Sequence, residues 1–102
     1  MINTEKWAKF ALTQQLGHVA SEIARARYWQ EKNDNDNRNQ ALERALGLLD
    51  LTIADNRWKG RLKEIVRLRE VVCDWFSQKR DYEISLQTLE KYCTDFALIK
   101  VK

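Results

Sequence analysis

The chain has no proline, and only three glycines, two cysteines and one histidine among its 102 residues. Without proline, and with so little glycine, few positions can interrupt a helix, so long helices are expected. The same scarcity leaves no glycine-rich phosphate loop. Cys73 and Cys93 have no CxxC spacing and only His18 to join them, so neither a zinc site nor any other metal or cofactor is expected. Both cysteines fall on apolar faces and read as buried free thiols. No apolar run approaches the roughly 18 residues of a membrane span and no secretory leader is recognisable, which makes the cytoplasm the expected compartment.

What is present suits one helical domain over residues 1–102. Hydrophobic residues make up 44% and charged residues 32%, too apolar for a disordered chain. The net charge of +3 is too small to mark a nucleic-acid binder by itself. Residues 1–51 balance seven basic against seven acidic side chains, so the whole excess lies in the second half.

Apolar periodicity predicts an all-α, up-down antiparallel four-helix bundle, with room for a short extra N-terminal helical segment around Trp7 and Phe10. Thr13 reads as the cap of a helix reaching about Lys32. The polar tract from Asn33 resembles a calcium loop in its alternating acids and amides but lacks the glycine and glutamate such a loop needs, so it reads as a solvated connection over 33–37. A second helix spans about 38–54, through Ala41, Leu42, Ala45, Leu46, Leu49 and Ile53. Asp55 and Asn56 supply a short turn, a third helix covers about 57–77, and Ser85 caps a fourth with Leu86, Leu89, Cys93 and Phe96 facing inward. Gly17 and Gly47, each inside a helix, suggest tight crossings.

Two arginines stand out. Arg69 falls within the apolar face formed by Trp58, Leu62, Ile65, Val66, Val72, Cys73 and Phe76, and Arg27 lies within that of Leu12, Leu16, Val19, Ala20 and Ile23. A guanidinium on a packed face must be paired, snorkel to water or line a polar pocket. Arg27, Asp50, Arg69 and Glu22 are therefore expected to form a buried polar network, with Asp50 the leading partner for Arg69. Lys59, Lys63 and Arg67, at four-residue steps, form a candidate ridge for nucleic acid or an acidic partner, with Glu70 and Asp74 continuing it. Trp7, Trp29, Leu68, Val71 and Trp75 lie off or beside the main stripes. A third helix apolar around so much of its circumference must be central or meet another chain, which points to self-association as a homodimer through these residues.

The stretches ALERALGLLDLTIADNRWKGRLKEI, RLREVVCDWF and LTQQLGHVASEIARA resemble a group of short, uncharacterised bacterial and archaeal helical-bundle proteins. In architecture the chain is also similar to HEPN domains. That likeness implies a dimerising bundle found beside small nucleotidyltransferases or acting as a ribonuclease. Ribonuclease members carry an arginine followed closely by a histidine; here no arginine precedes His18 at that spacing, and Asp74 follows Arg69 instead. The expected function is a non-catalytic interaction module that self-associates and docks on a partner protein. Nucleotidyltransferase-like or nucleic-acid-processing proteins are the expected partners, and RNA or DNA binding, or a HEPN-like ribonuclease, the alternative.

Overall fold

The computed structural model describes residues 4–79 and 83–98. Among the described residues five α-helices follow one another: α1 (Thr4–Lys9), α2 (Leu12–Glu31), α3 (Asn35–Ile53), α4 (Leu62–Ser77) and α5 (Leu86–Leu98), with a 3-10 segment, Asn56–Arg61, leading into α4. The four long helices form the all-α bundle and α1 is the short N-terminal addition. The side chain of Phe96 lies outside the described residues.

Helix boundaries follow local hydrogen bonding. The helix expected to be capped by Thr13 is capped at Ala11 instead and begins at Leu12, the Gln14 side chain accepting the Ala11 backbone N–H at 2.8 Å. Beyond its last turn Asn33 takes a left-handed conformation, φ 58°, which asparagine tolerates better than most residues. Asp34 then caps α3, accepting the backbone N–H of Asn37 at 3.0 Å and its side-chain amide at 2.7 Å. The expected connection over 33–37 is thus mostly helix: short polar side chains that disfavour a helix interior suit its first turn. At the other end of the chain Ser85 does cap α5, accepting the backbone N–H of Thr88 at 3.1 Å.

The core runs through Leu16, Val19 and Ile23 of α2, Ala41, Leu42, Ala45 and Leu49 of α3, Ile65, Leu68 and Val72 of α4, and Leu86, Leu89 and Cys93 of α5. α2 is the central element, packed along both α3 and α5; α4 lies mainly on α3 and only grazes α5. Close approach uses the buried alanines Ala26, Ala41 and Ala45. Gly17 and Gly47 are not at crossings: a Cβ placed on either would meet nothing within 4 Å.

Residues 57–61, expected to begin the third helix, are 3-10 instead, with Trp58 out of helical geometry at φ −105°, ψ 20°. The reason is a polar knot that also fixes α1. Gln15, fully buried, accepts the Trp58 indole N–H at 3.1 Å while its own amide donates to the Trp7 carbonyl at 2.9 Å. The Trp7 indole N–H reaches Thr52 Oγ1 at 3.2 Å. Arg57 donates to the Phe10 carbonyl at 2.8 Å and to Asp55 at 2.6 Å. Pulling the Trp58 ring toward Gln15 takes its backbone out of the α conformation. The Arg57 bonds hold the Asp55 carboxyl below the usual carboxylate range.

Candidate functional site

The four residues expected to form one buried network are divided among separate pairs. Arg69 does meet Asp50, Nε to Oδ1 at 2.6 Å, and this raises the pKa of the guanidinium further. The pair is not buried: its side chains are 36% and 57% exposed. Arg27 bonds Glu90 of α5 at 2.8 Å. Glu22, buried at the edge of α2, accepts from Arg25 and Arg44, each at 3.0 Å. Arg27–Glu90 ties α2 to α5, Glu22–Arg44 ties α2 to α3, and Asp50–Arg69 ties α3 to α4. Each joins two helices through at least one well-exposed side chain, so each contributes little to stability.

The expected self-association surface is largely inside the chain. Trp7, Leu68, Val71 and Trp75 are all buried by this one chain, and Trp29 is half-buried. Trp75 lies between α4 and the segment leading to α5, its indole N–H donating to the Ile84 carbonyl. Trp7 looked stray in sequence because its surroundings combine Gln15 and His18 of α2 with Thr52 of α3, which no single helical projection contains.

Lys59, Lys63 and Arg67 are all exposed, but the 3-10 geometry of Asn56–Arg61 takes Lys59 off the α-helical row that would align it with the other two. Arg67 meets Glu70 loosely, at 3.9 Å, and Arg61 holds Glu64 at 3.0 Å.

Sequence reading missed two features. One is Arg38, nearly fully buried in the first turns of α3 and held by the side-chain carbonyls of Gln30 (2.6 Å), Asn35 (3.0 Å) and Asn39 (3.1 Å). The amide-rich tract was its only signal, since those amides are its acceptors. The other is a cleft where α4 and α5 diverge. Its volume is about 330 Å³, it opens to solvent, and it is lined by Leu68, Val71, Ile84, Leu89, Thr88 and Tyr92, with Arg67 at its edge. Leu68 and Leu89 form part of its floor and Tyr92 is 45% exposed at its rim. Cys93, on the same helix, is buried in the core; desolvation, with Glu90 adding to it, pushes its thiol pKa up to about 12.

Among the described residues no group of three His, Cys, Asp or Glu side chains is placed to hold a metal ion, and no helix is long and apolar enough to cross a membrane. Comparison of the chain with family models, curated proteins and solved structures gives no match.

Proposed function

We propose that this chain is a non-catalytic helical interaction module that docks a segment of a partner protein on its α4–α5 face. The observation that carries the reading is the open apolar cleft between those helices. The neighbouring pairs α2–α3, α2–α5 and α3–α4 pack closely, but α4 and α5 barely touch, which leaves the cleft open between them. Of the residues first assigned to self-association, Trp7 and Trp75 are buried inside the chain, while Leu68 and Val71 line this cleft.

Site-specific photocrosslinking in cells tests this. A benzoylphenylalanine in place of Thr88, at the cleft, is expected to give one discrete adduct, and the same group in place of Gly47, on the outer face of α3, none. Equal labelling from both positions, or from neither, would refute a docking face at the cleft. An adduct of twice the 12.1 kDa chain mass would show that the occupant is a second copy.

A further inference from the structure

We infer that α1 is an exchangeable arm: it leaves its place on the bundle and seats Trp7 in the same pocket of a second copy of this chain, giving a reciprocal dimer. The pocket shares no residue with the α4–α5 cleft. Trp7 is the anchor of α1, 1% exposed, while Glu5, Lys6, Ala8 and Lys9 around it are all exposed. Its indole donates to Thr52 Oγ1 of α3 and its carbonyl accepts from the Gln15 amide of α2, so the pocket belongs to the long helices and not to α1. A second copy carries an identical arm, which makes the same bonds there.

Local sequence gives little reason for the bend that folds α1 back. The stretch from Thr4 to Leu16 holds no glycine or proline and consists mostly of alanine, lysine, leucine, glutamine and glutamate, which are good helix formers. Ala11, at the bend, has no side-chain acceptor with which to cap α2. As one continuous helix the segment would pair the Trp7 carbonyl with the Ala11 N–H and the Phe10 carbonyl with the Gln14 N–H. In the bent form those carbonyls and the Ala11 N–H have substitute partners. The Trp7 carbonyl takes the Gln15 amide at 2.9 Å and the Phe10 N–H at 3.1 Å. The Phe10 carbonyl takes the Arg57 guanidinium at 2.8 Å, and the Ala11 N–H goes to Gln14 Oε1 at 2.8 Å. These three groups are satisfied whether the hinge is bent or straight, so what straightening loses is chiefly the burial of Trp7. The arm of a second copy restores that burial, and protein concentration then decides between closing on itself and exchange.

The test warms the full chain into the start of its unfolding transition at rising protein concentration, cools it, and measures mass by light scattering. A dimer of twice the 12.1 kDa chain mass is expected to grow with concentration. With half the chains labelled with heavy nitrogen and half with heavy carbon, a filtered nuclear Overhauser spectrum should connect the Trp7 indole proton of one copy to the Thr52 methyl of the other. Ala11→Asp, which gives α2 a capping carboxylate at the bend, should lower the dimerisation constant at least about fivefold. Gln14→Ala, which releases the Ala11 N–H to the continuous helix, should raise it. Circular-dichroism melts verify that both variants keep the bundle. Monomer mass at every concentration, in the wild type and in Gln14→Ala alike, would overturn the proposal. So would a dimer in which Trp7 meets Thr52 only within one chain, since the copies would then join through another face, or a dimer indifferent to both hinge variants.

Discussion

At the scale of single residues, the Arg69–Asp50 pair shows how burial governs what a short contact contributes. Nitrogen and oxygen are 2.6 Å apart, yet both side chains reach solvent, and exposed pairs contribute about 0–1 kcal/mol. Arg69→Met is expected to lower stability by less than about 1 kcal/mol in a denaturant titration, where a buried pair losing one member would cost about 3 to 5. Asp50 was legible as the partner because it borders the apolar stripe of a helix that one short turn makes the neighbour of Arg69's. The exposure was not legible. The projected apolar face included Trp58, which is in the 3-10 segment, and Leu62 and Phe76, which are both 37% exposed. Without them the buried face is Ile65, Leu68, Val71, Val72 and Trp75, and Arg69 lies on its flank. The glycines make the opposite point. With open space at both sites and no positive φ, Gly17→Ala and Gly47→Ala should each stabilise the protein by about 0.5–1 kcal/mol, read as a raised denaturation midpoint. A loss at either position would restore the tight-crossing explanation.

At the scale of elements, the N-terminal helix is too short to be stable alone and is held by its side chains. Gln15 is the hub, since it serves the Trp7 carbonyl and the Trp58 indole together. Gln15→Ala leaves the Trp58 indole N–H without its acceptor and takes one of two donors from the Trp7 carbonyl, which keeps the Phe10 N–H at 3.1 Å, and should destabilise by about 1–3 kcal/mol, with α1 losing hydrogen-exchange protection first. Uniform loss of protection across α1 and α3 would mean that α1 is not a separable unit. The long helices were legible because apolar periodicity reports which face is buried. The knot was not, because its members are distant in sequence: Trp7 meets Thr52, and Gln15 meets Trp58. The cleft was hidden for a related reason: Leu68 and Val71 read as a surface for another chain and Leu89 as core, and only the divergence of α4 from α5 brings them together at an open junction.

At the scale of the whole molecule, ionisation limits stability at both ends of the pH range. The carboxyls of Asp34 and Asp55 titrate below the ordinary value of 3.8, so the folded chain binds fewer protons there than the unfolded one. Their contribution is present above that value and lost as pH falls through the lowered one. Cys93 acts in the opposite direction. Its thiol stays neutral to about pH 12 when folded but ionises near 9.0 when unfolded, so stability should decline as pH rises across that interval. Denaturant titrations from acid to alkaline pH, with Cys93→Ala to flatten the alkaline decline, check both limbs. A thiol reagent at neutral pH should modify the half-buried Cys73 before Cys93.

The central claim is that one chain completes its own core and leaves the α4–α5 cleft to receive a partner. Methyl-resolved NMR tests it most directly, following Leu68, Val71, Ile84 and Leu89 during titration with the protein captured by the photocrosslink at Thr88. Saturable shifts concentrated on these four methyl-bearing residues, with the Trp7 and Thr52 end of the bundle unchanged, are the predicted result. Shifts centred on that end or on the outer face of α2 and α3, with the cleft methyls unmoved, would contradict it.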